Sequence, residues 1–374
     1  MPTSTKHVVL LFEDTDAVAI GLKKQIALHP DIDLRQFDLN VSPPDAAGTY
    51  EDKLTEAIRS SDYAKDLVLI VTDHDLSSKK WNGLSQAAVS SAARKLGLPV
   101  AGYRKKLPMP TDVIQRIPGN GLIELVKGDK GWGDEVARLA RGFVDLEQRI
   151  SMLAASMGSR PSQMRSMSPG ALLASVLEVP EVAAHLDSLA CGDQTVIAEI
   201  LNFSPASRAK TPPKLNEEVK RRLKVAMGVW LVDLIMAYPG ALINEVGTAS
   251  YLDIHPEDFK RAEIKAVFEG ARYKELPFAS DSAPLWWRHN LDDILNEAGV
   301  TTGLDLCVAK GVKKVRYCPC SVDPKLHAGY LCLALNEPIS AKNSSGRVHW
   351  FPVGADLARL TKSIYQKLGP WIGT

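Results

Sequence analysis

Charged residues stand directly after three of the first five apolar runs of this chain. Glu13 and Asp14 follow the first run, Asp73 follows the third, and Lys127 follows the fifth. Carboxylate oxygens are the ligands that hard divalent cations such as Mg²⁺ prefer. A lysine beside such a cation would neutralise a phosphoryl group carried by Asp73. This set of residues therefore predicts a site for a divalent cation, with Lys127 facing the anionic group.

The elements that must position these residues alternate regularly over the first 150 residues. Short apolar runs predict strands at 8–12, 33–38, 67–72, 99–103 and 122–126, and apolar residues at helical spacing predict helices at 17–28, 50–60, 84–96 and 134–153. Strands that alternate with helices of this length form parallel βαβ units. Five such units favour a flavodoxin-like sheet of order 2-1-3-4-5, in which functional groups gather at the carboxyl ends of the strands. We therefore expect Glu13, Asp14 and Asp73 to share one pocket.

Three segments carry a family resemblance: FEDTDAVAIGLKKQIALHPDIDL, DLVLIVTDHDLSSKKWNGL and LIELVKG. Together they make residues 6–150 resemble the receiver domains of response regulators (CheY-like). The resemblance implies that Mg²⁺ is held by Glu13, Asp14 and Asp73. It further implies that Asp73 is the phosphoacceptor and that Lys127 contacts the phosphoryl group. A signalling function follows from it.

Two features depart from the receiver pattern. Receivers place Ser or Thr at the end of strand four, where this chain has the segment PVAGY and Tyr103 carries the only hydroxyl. The segment from Asp73 to Gly83 is also longer than usual. These departures leave two alternatives open, a working phosphoacceptor and a receiver-like docking module. They predict weak phosphorylation of Asp73 or none.

A different chemistry fits part of the same pattern. Glu13 after strand one, with Asp73 and Asp75 after strand three, matches the glutamate and D-x-D of Toprim domains, which bind Mg²⁺ for phosphodiester cleavage. A Toprim strand usually has glycine after the glutamate, whereas Asp14 stands there, and Lys127 would have no role. A third alternative is a non-catalytic scaffold subunit in which the acidic pocket is vestigial. The acids could also merely cap helices one and three, since Asp and Glu favour helix N-termini. We favour the receiver-like protein, and a non-enzyme over an enzyme.

Composition sets limits on the remaining function classes. The chain has 374 residues with 45 basic and 44 acidic side chains, and its net charge of +1 gives no overall attraction to nucleic acid or an anionic membrane. The longest apolar stretch, residues 225–239, contains Asp233 and is too short to span a bilayer. Five cysteines and no signal-peptide pattern predict a cytoplasmic location. Apart from Mg²⁺ we expect no cofactor, and nucleic-acid binding has little support.

Proline- and serine-rich segments divide the chain. They predict a receiver-like domain at 1–157, a short helical segment at 170–203 and a C-terminal domain at 215–374. The C-terminal domain is expected to be helical to about residue 298 and then mixed, with strands at 313–317, 330–335 and 348–352. We expect it to bind a protein partner. By analogy, receiver-type modules joined to unfamiliar domains occur in bacterial multi-gene signalling or phage-defence systems.

Overall fold

A computed structural model describes ten ranges of the chain: residues 6–44, 48–76, 80–81, 84–104, 122–126, 131–157, 166–189, 196–200, 216–348 and 351–372. Lys127 lies outside the described residues. So do the linker at 204–214 and most of the linker at 158–169.

A five-stranded parallel sheet organises the N-terminal part of the chain. Its strands are β1 (His7–Phe12), β2 (Ile32–Gln36), β3 (Leu67–Asp73), β4 (Val100–Arg104) and β5 (Leu122–Val126). The strand order is β2-β1-β3-β4-β5. This is the flavodoxin-like order, so the fold class predicted from the sequence is confirmed. Every residue of the central strand β3 is buried, as a strand covered on both faces requires.

Among the described residues, four helices connect or follow these strands: α1 (Asp16–Ile26), α2 (Tyr50–Arg59), α3 (Gln86–Leu96) and α4 (Trp132–Ser156). Local signals set their ends. Thr49 and Asp52 form a reciprocal capping box at the start of α2, and the Ser85 hydroxyl accepts a hydrogen bond from the Ala88 amide at the start of α3. The helix α3 ends at Gly97, whose φ of 67° is a left-handed conformation that glycine adopts without steric cost.

A later helix packs against α4. This helix, α7 (Glu217–Trp230), begins after Asn216, whose side chain accepts a hydrogen bond from the Val219 amide. The Lys224 ammonium is almost fully buried and bonds Glu147 at 2.7 Å. A methyl group added at Gly228 would lie 2.2 Å from the Phe143 ring, so glycine is what allows this close approach.

The other helices and strands are short. In chain order they are α5 (Pro169–Val176), a 3₁₀ turn (Pro180–Val182), α6 (Ala183–Ser188), a π-helical turn after α7 (Leu231–Ile235), β6 (Leu242–Asn244), α8 (Glu245–Tyr251), α9 (Pro256–Phe259), α10 (Ala262–Val267), a 3₁₀ turn (Glu269–Ala271), β7 (Arg272–Tyr273), β8 (Leu285–Trp287), α11 (Arg288–Glu297), α12 (Gly303–Ala309), β9 (Gly329–Cys332), β10 (Glu337–Ser340), a 3₁₀ turn (Ala341–Asn343), β11 (Ala358–Arg359) and α13 (Lys362–Ile372).

Two three-stranded sheets lie among these elements, with orders β6-β8-β7 and β10-β9-β11. The prediction that the chain is helical up to about residue 298 is therefore wrong, because β6, β7 and β8 pair within that range. The strand predicted at 313–317 is also wrong. That segment is irregular, and side chains from α9 and from the residue before α10 hold it in place.

The described residues form two compact units. The first contains 6–157, 166–167, 196–200 and 216–233, and the second contains 168–189 and 234–372, apart from the undescribed residues within these ranges. The chain thus passes between units more than once, because α7 belongs with the parallel sheet. Within the described ranges, no helix combines the length and apolar character needed to cross a membrane.

Candidate cation site

The register of the parallel sheet aligns the residues that the sequence singles out. Phe12 of β1 is level with Thr72 of β3, so Glu13 emerges beside Asp73 at the carboxyl edge. Asp73 is in turn level with Tyr103 of β4. Neighbouring parallel strands expose their carboxyl ends at one edge, and this is why residues 60 and 90 positions apart become neighbours.

Three carboxylates converge at this edge. Glu13, Asp14 and Asp73 each offer an oxygen, and these atoms lie within 4.8 Å of one another. Glu13 and Asp73 are fully buried, and Asp14 is half-buried. Ligands on opposite sides of a cation are separated by twice the metal–oxygen distance, about 4.2 Å for Mg²⁺ and about 5 Å for Ca²⁺. The oxygens are therefore close enough to share one cation of the size of Ca²⁺, and Mg²⁺ would draw them slightly closer together.

Two backbone amides and one side-chain amide hold Glu13 and Asp73 in position. The Thr15 amide donates to Glu13 Oε1 at 2.7 Å, and the Gln36 side chain donates to the Glu13 carbonyl at 3.1 Å. The Asp75 amide donates to Asp73 Oδ1 at 3.2 Å. Each bond links an acid to the turn that follows its strand or to a neighbouring strand. The positions of the acids are thus set before any ligand arrives.

Tyr103 is the site residue whose role the sequence did not reveal. Its hydroxyl donates to Glu13 Oε2 at 2.5 Å, and its fully buried ring meets Trp132 edge-on at a centroid distance of 4.9 Å. Burial, followed by the bond to Glu13, raises the pKa of Tyr103 well above its ordinary value. The tyrosine therefore remains a neutral donor to Glu13. Its place on β4, level with Asp73, is the signal that could have identified it.

We predict that Tyr103 does not ionise in the folded protein. The native chain and Tyr103→Phe should show equal tyrosinate absorbance as the pH is raised through 10, because the folded environment disfavours the charged form. Folding holds the phenol neutral, so its contribution to stability is present below the ordinary tyrosine pKa and declines as pH rises above it. A tyrosinate absorbance in the native chain that exceeds that of Tyr103→Phe by the signal of one tyrosine would contradict the assignment.

The other predicted site residues have different outcomes. Asp75 is exposed, and the cluster contains Asp14 in place of the Asp75 that a Toprim-like site requires. Only one group of three or more His, Cys, Asp or Glu side chains in the described part of the chain has ligand atoms within 4.8 Å of one another. This group is Glu13, Asp14 and Asp73. The prediction for Lys127 falls on a residue outside the described ranges.

The strand order and the acidic edge define the class of the N-terminal part: a flavodoxin-like α/β domain with three carboxylates clustered at the carboxyl edge of its sheet. No protein-family model and no curated protein matches the chain. Among solved structures it is similar to the response regulator RcsB of Salmonella typhimurium, from work on the DNA interaction of that protein. The two share 12% identity over 60% of this chain and 88% of the other, with a TM-score of 0.26.

Proposed function

We propose that this chain is a signalling protein whose N-terminal receiver-like domain binds a divalent cation, Mg²⁺ being the favoured ion. The observation that carries the proposal is the approach of Glu13, Asp14 and Asp73 to within 4.8 Å of one another at the carboxyl edge of the sheet. Three carboxylates so close together repel one another unless a cation or a proton compensates their charge. In this proposal the cation sets the local charge, and the domain communicates that state to its partners.

The receiver-like interpretation has better support than the nuclease. A Toprim-like site would need Asp75, whose side chain is exposed, while Asp14 occupies the cluster. Strand four lacks the Ser or Thr that receivers have at its end. The buried Tyr103 hydroxyl nevertheless gives this strand a hydrogen-bond donor at the same edge. In a receiver that position carries a smaller hydroxyl residue, whereas here the phenol is bonded to Glu13.

Phosphorylation of Asp73 is a secondary part of the proposal. The Asp73 side chain is fully buried, so a phosphodonor reaches its carboxylate only after the surrounding chain moves. This favours a module that acts mainly through the cation and through docking, with weak phosphoryl acceptance. The second unit supplies the contacts with partners, and by analogy the protein belongs to a bacterial multi-gene signalling or phage-defence system.

Calorimetric titration with Mg²⁺ and with Mn²⁺ tests the proposal. We expect about one ion per chain, and we expect Asp14→Asn to weaken binding about tenfold or more, because it removes one charged ligand from the site. The matched control is Asp16→Asn, which removes the same charge from the exposed first turn of α1. Equal weakening in both variants would mean a diffuse charge effect, and no binding by the unaltered chain would refute the cation site.

A further inference from the structure

An exposed segment of the second unit carries three lysines that form no ion pair within the described part of the chain. Lys313, Lys314 and Lys325 are all exposed, and among the described residues none of the three forms an ion pair. Two exposed rings, Tyr317 and His327, lie in the same segment. We call these five residues the lysine–aromatic strip. Lysines in an irregular segment that are not neutralised locally leave their charge available to an anionic partner.

The backbone of the strip is held in place by side chains that do not belong to it. The Arg261 guanidinium donates to the carbonyl oxygens of Lys313 and Lys314 at 3.0 and 3.1 Å. Lys314 has a φ of 56°, a conformation that needs such support in a non-glycine residue. Two residues further, Arg316 bonds the Asp258 carboxylate at 2.7 and 3.0 Å, and this pair lowers the pKa of Asp258. Arg261 and Asp258 therefore fix the chain while leaving the lysine side chains exposed.

The aromatic part is equally well fixed. The rings of Tyr317 and His327 stack with centroids 4.5 Å apart and planes 19° from parallel. Asp253 bonds His327 Nδ1 at 2.8 Å through one oxygen and accepts the Cys318 amide at 3.2 Å through the other. The Tyr317 hydroxyl donates to the Pro324 carbonyl at 2.8 Å, next to Lys325. Hydrogen bonds thus connect the stack to Asp253, which follows α8, and to the loop that carries Lys325.

Asp253 itself has a strained backbone. Its φ of 57° places it in the left-handed region directly after the end of α8, where glycine or asparagine is the common choice. An aspartate there orients the imidazole through Nδ1 and leaves Nε2 and one ring face toward solvent, since the His327 side chain is 64% exposed. A preorganised exposed ring loses little conformational entropy when another flat ring stacks on it.

We propose that the lysine–aromatic strip binds single-stranded nucleic acid, with the lysines contacting phosphates and a base stacking on the outer face of His327. Proteins that bind single strands without sequence preference combine a positively charged track with aromatic platforms. Both are present in the strip. The nearly balanced net charge of the whole chain does not oppose this, because a local patch determines the potential that a bound strand experiences.

Fluorescence anisotropy of a labelled oligothymidylate of about 20 nucleotides tests this inference on the full chain. We expect binding that weakens with salt. Replacing Lys313, Lys314 and Lys325 by Gln should reduce the affinity about tenfold or more and lower the salt slope by as much as about 2. The charge-matched control replaces three exposed lysines of the first unit by Gln: Lys23 and Lys24 on α1, and Lys65. This control should bind as the unaltered chain does.

The stacking component has its own variants. His327→Ala should weaken binding about fivefold or more without changing the salt slope, and His327→Phe should retain most of the affinity because it keeps a flat ring. Thermal unfolding of each variant checks that the fold is intact. The inference is overturned by any of four results: no binding at low salt, equal loss in the control, tighter binding of a duplex, or competition by a polyglutamate peptide as strong as by the oligonucleotide. The last would indicate an acidic protein partner.

Discussion

Saturation with Mg²⁺ should raise the free energy of unfolding of the unaltered chain, and Glu13→Gln should remove that gain. A ligand that binds only the folded state stabilises it by about 2.7 kcal/mol at about one hundred times its Kd. Gln has the size of Glu and retains an oxygen that can accept the Thr15 amide, but it lacks the charge that the cation requires. Urea unfolding with Mg²⁺ and with a chelator, for both proteins, gives the four free energies that decide this.

Tyr103→Phe distinguishes the stability that comes from the Tyr103 hydrogen bond from the stability gained on Mg²⁺ binding. This variant removes the hydroxyl that donates to Glu13 Oε2 while preserving the ring beside Trp132. Loss of a hydrogen bond to a buried carboxylate should lower the free energy of unfolding by about 1–3 kcal/mol without metal. The gain from Mg²⁺ should persist, because all three carboxylates remain. A Mg²⁺ gain that survives Glu13→Gln would show that Glu13 is not a ligand. A gain that disappears in Tyr103→Phe would show that the cation needs the Tyr103 hydroxyl and not the carboxylates alone.

Gly228→Ala should destabilise the first unit strongly. The added methyl carbon would lie 2.2 Å from one carbon of the Phe143 ring and 3.0 Å from two others, far inside van der Waals contact. Phe143 is fully buried on α4, so the helices must separate or the ring must leave its rotamer. Overpacking of this kind costs about 1–3 kcal/mol. We expect the upper end, reduced by the gain of up to about 1 kcal/mol that alanine brings to a helix.

Gly21→Ala is the matched control for that experiment. Gly21 also lies inside a helix, α1, but nothing lies within 4 Å of the added carbon. The same substitution should therefore stabilise the chain by as much as about 1 kcal/mol. Pairing Gly228→Ala with Phe143→Leu should recover part of the loss, because the smaller side chain makes room. If Gly228→Ala had the same free energy of unfolding as Gly21→Ala, that result would contradict the close contact between Gly228 of α7 and Phe143 of α4.

Both site predictions involve Glu13, which accepts a hydrogen bond from the Tyr103 hydroxyl of β4. A phenol is long enough to reach from β4 across Asp73 to Glu13, two strands away in the sheet. Because burial disfavours the ionised phenol, the hydroxyl retains its proton for the bond to Glu13. The cation affinity of the edge should therefore not depend on ionisation of Tyr103.

The sequence by itself determined the parallel sheet and the place of its acidic residues. Alternating apolar runs and amphipathic segments are local signals, and each βαβ unit closes within a few tens of residues. The order β2-β1-β3-β4-β5 follows from that rhythm, and the approach of Glu13 to Asp73 follows from the order. Both could be predicted because a residue directly after a parallel strand lies at the carboxyl edge.

Only the tertiary structure decided the contacts that depend on long-range packing. The bond from Tyr103 to Glu13, the closeness of Gly228 to Phe143, and the clamp of Arg261 on the 313–314 backbone join residues far apart in the sequence. The sheet β6-β8-β7 escaped prediction because its strands have two or three residues, too few to establish a period. Their pairing is stabilised by burial among neighbouring elements. That burial depends on residues far away in the sequence, so a short segment cannot predict it.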